Sequence, residues 1–497
     1  MDEVKLVDTT LRDGAQSLWA CRMRVGAMLP AMEDIDAAGY DGIEFATSTG
    51  HFQRAVRDLK ENPWDWLRLG SQRAKSGVLR LHGGILPRFG AVPFPRCVHE
   101  IFLERISDMG IRTTRTSDPW NNFTRLEETI TVLQGFGIDT VANIVFSVSP
   151  RHTNEYYAER TREAVRISPA RVCFKDVGGL LTPERARELV PIVLANAGTT
   201  PVELHIHCNN GLGPYVALVA VDCGIRIVHS AIPPLANGSS QPPVFDLVAN
   251  LRLRGYDVAV DTARLQSVSA HLYRVAESEG LPTGSAAVYQ EEMYTHQVPG
   301  GMISNLEFQL EQLGHGSKLG AALDEVKLVR KELGYPIMVT PLAQFVGSQA
   351  VLNVLSHGRY VAVSDEIIQY ALGEWGSEAP EVMDQDVLSK ILDRPRTTVL
   401  KDRTREEPSL DEVRRRYGHS LTDEELVVRV FGGVEDPWPG FPDPKTFPRT
   451  YEDYASSQAH PIRTLLDGFI QRPKVHSMYF RGGNGTLEVR KAAGRTT

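Results

Sequence analysis

The sequence predicts a (β/α)8 barrel followed by a mainly helical C-terminal region. Three observations carry this: a length of 497 residues, eight short apolar runs alternating with helix-like stretches over the first 260 positions, and polar clusters at the ends of several runs. A barrel of about 250 residues plus one or two further units is the natural partition of such a length.

The runs are VKLVDT (4–9), DGIEFA (41–46), VLRLHG (78–83), IRTTRT (111–116), TVANIVF (140–146), RVCFKD (171–176), VELHIH (202–207) and IRIVHSAI (225–232). Helical stretches separate them. One is PERARELVPIVLANAG (183–198), with Pro at its start and Gly at its end. Strand after strand with a helix between is the pattern of a closed parallel barrel. Beyond about 285 the rhythm changes, and residues 305–333 and 342–395 read mostly helical. From 396 the chain is strongly charged, then rich in Pro and Gly around DPWPGFPDP (436–444). The expected division is therefore a barrel over 1–285, a helical unit over 286–400 and a charged, Pro/Gly-rich extension over 401–497. Whether the extension is irregular or a small third unit stays open.

A hydrophobic fraction of 42% and a charged fraction of 23% are those of a globular protein. The net charge of −8 argues against a nucleic-acid partner. MDEVKLVDTTLRDG enters the first run with no basic leader or cleavage site, and no run of about 18 apolar residues suggests a membrane span. The cysteines (Cys21, Cys97, Cys173, Cys208, Cys223) are scattered without CxxC spacing, which reads as reduced thiols in the cytoplasm.

Active sites of such barrels form at the C-terminal ends of the strands. Strand one is expected to end in Leu11-Arg12-Asp13-Gly14, strand six in Lys175-Asp176, and strand seven in His205-Ile206-His207. Residues two apart on a strand point the same way, so His205 and His207 can project together into the mouth and grip one divalent ion. Asp13 can add an oxygen ligand. Lys175 can ligate only as a carbamate formed with CO2; read alone, its commoner role is a salt bridge to a barrel carboxylate. Arg12 beside a metal ligand suits an oxyanion developing there, or a structural ion pair. Gln16 could bind a substrate carboxylate or cap the following helix. Ser239 in NGSSQPP is a candidate proton shuttle or a turn-forming serine. Cys208 follows His207 directly and reads as packing.

The motifs DTTLRDGAQSLWACRMR, PWDWLR, SPRHT, FKDVGGLLTP, LHIHCNNGLG, SSQPP, HQVPGGMISNL and VTPLAQFVGSQAVLNVLSHGRY together resemble the carboxyltransferase subunits of biotin-dependent enzymes. These are the oxaloacetate decarboxylase α subunit, the carboxyltransferase half of pyruvate carboxylase, and the matching transcarboxylase subunit. The likeness runs over roughly residues 4–400. TLRDG alone is shared with isopropylmalate synthases and hydroxymethylglutaryl-CoA lyases; FKDVGGLLTP and VPGGMISNL are more specific. The resemblance implies a metal (zinc, manganese or cobalt) on Asp13, carbamylated Lys175, His205 and His207. It further implies Arg12 over the reacting oxygen, Gln16 binding substrate, and Ser239 where the family usually has a threonine passing a proton. The implied reaction moves a carboxyl group between carboxybiotin and a small carbonyl compound through a metal-stabilised enolate.

Two departures qualify this. The family's RGQN after strand three is here His82-Gly83-Gly84-Ile85, so the arginine that holds a keto acid's carboxylate is missing. Arg80 and Arg88 are nearby but do not align. His82 then becomes the candidate substrate-binding residue, and an acceptor bearing an amide, ester or thioester is expected. No Met-Lys-Met carrier turn and no ATP-grasp region are present, so biotin would come on a carrier protein, loaded by a biotin carboxylase, both on separate chains. A homodimer follows from family likeness. The alternatives are a biotin-independent aldolase, lyase or decarboxylase of the same barrel superfamily, and a non-catalytic scaffold.

Overall fold

The computed structural model describes residues 2–47, 49–83, 94–298, 314–402, 407–435, 440–450, 477–482 and 485–490, with the isolated positions 303, 306–307, 310–312 and 453–454. Eight parallel strands close into a barrel in sequence order: β1 (Lys5–Asp8), β2 (Gly42–Thr47), β3 (Leu79–His82), β4 (Thr113–Thr116), β5 (Asp139–Val145), β6 (Arg171–Asp176), β7 (Val202–Ile206) and β8 (Ile227–Ser230). Closure is made by β1 on β8, with Lys5 opposite Ile227 and Asp8 opposite Ser230. Each strand lies within one of the eight apolar runs or extends past it by a single residue.

Helices follow the strands and bury their apolar stripes against them. The helix Pro183–Ala197 illustrates the local code. Thr182 caps it by accepting the Arg185 N–H at 3.1 Å, Pro183 opens it, and Gly198 ends it with φ +61°. Packing around the strands joins Leu6, Ile43, Leu81, Ile144, Phe174 and Leu204 into one continuous core.

A second hydrophobic cluster lies among helices from 319 to 401, centred on Val326, Val346, Ile367, Tyr370 and Ile391. It meets the barrel at the loops after β4 and β5. Trp120 belongs to this second cluster, Arg330 donates to Ser147 Oγ at 3.0 Å, and Arg151 pairs with Glu378. The chain then returns to the barrel. Helix Asp423–Gly432 docks with Phe431 against Phe52 and Phe102, ring centroids 5.7 and 5.5 Å apart. Trp64 donates its indole N–H to Glu424 O at 2.9 Å, and Arg105 pairs with Asp423 at 2.8 Å. Residues 410–432 thus help cover the outside of the barrel. A two-stranded antiparallel hairpin, β9 (Ser477–Gly482) and β10 (Gly485–Arg490), lies near the end. Among the described residues no helix is long and apolar enough to cross a membrane.

Candidate active site

The first segment departs from the sequence reading in one respect. Strand β1 stops at Asp8, and Thr10–Gly14 forms a π-helical turn, closed by Gly14 N–H on Thr9 O at 3.0 Å. The Asp8 carboxylate bends the chain there by accepting from Thr10 N (3.2 Å) and Oγ1 (2.5 Å). Gly14 is required, because a Cβ would lie 2.7 Å from Leu235 O. Arg12 and Asp13 therefore reach the barrel mouth from a wide helical turn, a geometry often found at functional sites.

Asp13 meets the β7 histidines over that mouth. His205 Nε2 is 3.1 Å from Asp13 Oδ2, His207 Nε2 is 3.7 Å from Asp13 Oδ1, and the two Nε2 atoms are 3.1 Å apart. All three side chains are buried, with their ligand atoms within 4.8 Å of one another. Burial pushes the Asp13 carboxyl up, but Arg12 and the two imidazoles outweigh it and hold it well below the usual carboxylate range. Burial pushes both histidines below the ordinary imidazole value. His207 donates Nδ1–H to Ser239 O at 2.6 Å, which leaves its Nε2 bare; the Gln241 amide nitrogen lies 3.1 Å from that atom. A carboxylate and bare imidazole nitrogens converging in a buried site are the donor set of a divalent cation such as zinc, manganese or cobalt. These residues fit such an ion.

Lys175, at the end of β6, is buried with its Nζ 3.4 Å from His82 Nε2. Burial lowers its amine to about 7, with the Arg115 guanidinium adding to the effect. A lysine in that state exposes the free-amine form that reacts with CO2. His82 closes β3, and burial holds its imidazole well below the usual range.

Beneath Asp13 lies a buried charge layer. Arg12 donates to Glu44 Oε2 through Nε (3.0 Å) and Nη2 (2.6 Å), and to Asp13 Oδ2 at 2.5 Å. Arg115 donates to Glu44 Oε2 at 3.0 Å through Nη2, binds Oε1 through Nε, and reaches Asn143 at 3.2 Å. Below these, His229 Nε2 is 3.0 Å from Glu203 Oε2 and its Nδ1 is 2.9 Å from His205 Nδ1. Glu203 is also held by Arg80 (2.8 Å) and Arg171 (2.9 Å). Sequence reasoning missed Glu44, Arg115, Glu203, His229 and Gln241. Glu203 was within reach of the argument that found the histidines, since it shares their alternate positions on β7.

The other candidates fall as follows. Ser239 Oγ donates to Ser17 O at 3.0 Å, and its carbonyl orients His207. Gln16 is exposed on the short helix Ala15–Trp19. Arg80 is turned to the opposite end of the barrel, bound to Glu203 and to Asp41 at 3.1 Å, so it is not the missing substrate arginine. Gly84, Ile85 and Arg88 lie outside the described residues. Cys208 is buried, as its packing role requires. Beside Arg12 a narrow recess is walled by Leu11, Ala15, Phe45, His51 and Trp66.

Comparison with known proteins agrees with this architecture. Residues 98–272 match the HMGL-like family model, and residues 293–431 match the conserved carboxylase domain. The B subunit of Methanocaldococcus jannaschii pyruvate carboxylase is 35% identical over 393 residues, 78% of this chain and 68% of the relative. The protein of the same name from Methanothermobacter thermautotrophicus is 32% identical, over 84% of this chain and 73% of its own length. The 5S subunit of methylmalonyl-CoA carboxyltransferase from Propionibacterium freudenreichii is 29% identical over 76% of this chain and 74% of its own. In fold, the chain is similar to the carboxyl transferase domain of Rhizobium etli pyruvate carboxylase, with a TM-score of 0.79 at 22% identity, covering 91% of this chain and 80% of that one.

Proposed function

The chain belongs to the family of biotin-dependent carboxyltransferases that includes the B subunit of pyruvate carboxylase, and we propose that it exchanges a carboxyl group between carboxybiotin on a separate carrier protein and a small carbonyl compound. The observation that carries this reading is the meeting of Asp13, His205 and His207 over the barrel mouth, with Arg12 beside them.

Asp13, His205 and His207 would hold a divalent ion, with Lys175 joining them as its CO2 carbamate. When bound, the ion (zinc, manganese or cobalt) would act as a Lewis acid that stabilises the enolate of the acceptor. Arg12 keeps its Nε and Nη2 on Glu44 and Asp13, while its Nη1 makes no hydrogen bond among the described residues and can meet the developing oxyanion. Ser239 would pass a proton between acceptor carbon and biotin nitrogen through its hydroxyl, which here donates to Ser17 O at 3.0 Å. Gln16 at the rim and His82 beside Lys175 would orient the acceptor. Arg80 and Arg115 are both committed to buried carboxylates, which supports an acceptor with an amide, ester or thioester in place of the keto acid's carboxylate.

The two hydrophobic clusters support a division into a barrel (1–285) and a helical unit (286–400), with 401–497 following. Family kinship supports a biotin carrier protein and a biotin carboxylase as partners, and a homodimeric state. The five unpaired cysteines support a cytoplasmic setting. The test is transfer of labelled carboxyl from a carboxylated carrier to a panel of keto acids, amides and thioesters. We expect acid-stable labelled product that avidin abolishes; turnover that survives avidin would refute the assignment.

A further inference from the structure

We propose that Glu203 and His229 form a relay beneath the metal centre that fixes the tautomer of His205 and so aims its Nε2 lone pair at the cation. The inference rests on the metal-centre reading above and adds two positioning residues to it. Glu203 and His229 are fully buried on adjacent strands, and Glu203 shares the inward face of β7 with His205.

Glu203 Oε1 is held by Arg80 at 2.8 Å and Arg171 at 2.9 Å, so the group stays a carboxylate and its Oε2 can only accept. His229 Nε2, 3.0 Å from that oxygen, must carry the hydrogen. Held to the cation through Nε2, His205 carries its hydrogen on Nδ1, 2.9 Å from His229 Nδ1, which is then bare and accepts. With its hydrogen on Nδ1, His205 is bare at Nε2, the atom 3.1 Å from both Asp13 Oδ2 and His207 Nε2. The reverse arrangement would face a bare nitrogen with the Glu203 carboxylate, two buried acceptors outside the cation site, whereas the bare Nε2 atoms and Asp13 converge on the cation site itself. Of the other groups facing the pair, Cys173 lies in the same buried cluster and Arg115 is committed to Glu44 and Asn143. Glu44 Oε1 is 3.8 Å from His229 Nδ1, beyond hydrogen-bond reach, and is taken up by Arg115.

The two histidine ligands thus need different devices. His207 lies past the end of β7 and finds a loop carbonyl, that of Ser239. His205 sits within the strand, where neighbouring carbonyls serve the sheet, so its acceptor has to be a side chain. Outer partners of this kind typically change metal affinity 10–100-fold when removed.

The test strips the full-length protein with chelator and titrates it with Co2+ alone, following d–d absorption. Wild type should take one ion per chain. His229→Leu, which offers no acceptor, should bind Co2+ roughly 10–100-fold more weakly and with an altered spectrum. His229→Asn, whose carbonyl can accept from His205, should recover most of that affinity. If His229→Leu does not fold, long-range 1H–15N spectra of the zinc-loaded wild type, labelled at histidine, decide: protons on Nε2 of His229 and Nδ1 of His205 support the relay, and the opposite tautomers overturn it. Equal Co2+ affinity and spectrum in wild type and His229→Leu also overturn it. A wild type that takes up no Co2+ refutes the metal-centre reading itself.

Discussion

Glu44→Gln is the sharpest test of the charge layer that holds Arg12 in place. The Glu44 carboxylate accepts from Arg12 at 2.6 and 3.0 Å and from Arg115 at 3.0 Å, all with side chains at 0–3% exposure. Burial pushes its carboxyl up, but Arg115 and Arg12 outweigh this and hold it well below its ordinary value, so it is ionised at every working pH. At an effective dielectric of about 20, each contact near 3 Å is worth about 5 kcal/mol, much of which offsets desolvation. Removing the charge leaves two buried guanidinia facing Asp13 alone, and breaking such a pair costs about 3–5 kcal/mol. With a urea m-value near 3 kcal/mol/M, the unfolding midpoint should fall by about 1–2 M, read by tryptophan fluorescence. The double variant Glu44→Gln/Arg115→Met should regain a good part of the loss, because it removes the uncompensated cation as well. A midpoint shift below about 0.3 M in Glu44→Gln, with activity retained, would refute the reasoning.

Three further outcomes are expected. Lys175→Ala should bind less than a tenth of the wild-type metal and lose turnover, by elemental analysis and carboxyl-transfer assay; full metal content would remove Lys175 from the ligand set. Since burial lowers the Lys175 amine to about 7, it is protonated below that pH and free above it. At a fixed concentration of dissolved CO2, reactivation of chelator-stripped protein by Co2+ should therefore rise between pH 6 and 8, as the free amine grows from roughly a tenth to nine-tenths of the total; a flat or falling profile would contradict this. Ser239→Ala should slow transfer by about 10²-fold or more with metal content unchanged, while Ser239→Thr retains activity; an unimpaired alanine variant would end the proton-transfer role.

The barrel was legible because its signals are local. Each strand is a short apolar run, and the pair His205 and His207 follows from alternation along one strand. Lys175 could be placed by the same logic at the end of β6. The π-helical turn carrying Arg12 and Asp13 was not legible, since it depends on Asp8 accepting from Thr10 and on the close approach of Gly14 to Leu235. Arg115 and Glu44 were passed over because a charged residue inside a strand declares itself only when its partner, 71 positions away, is known. The return of residues 423–432 to the barrel likewise rests on contacts such as Trp64 with Glu424, 360 positions apart, which no local pattern encodes.

Anomalous diffraction from crystals of the protein loaded with zinc or cobalt, with maps around β6 and β7, meets the central claim head-on. The account predicts one strong anomalous peak shared by Asp13, His205 and His207, and extra density for a CO2 adduct on Lys175 Nζ. No peak there, together with an unmodified Lys175 amine, would contradict it.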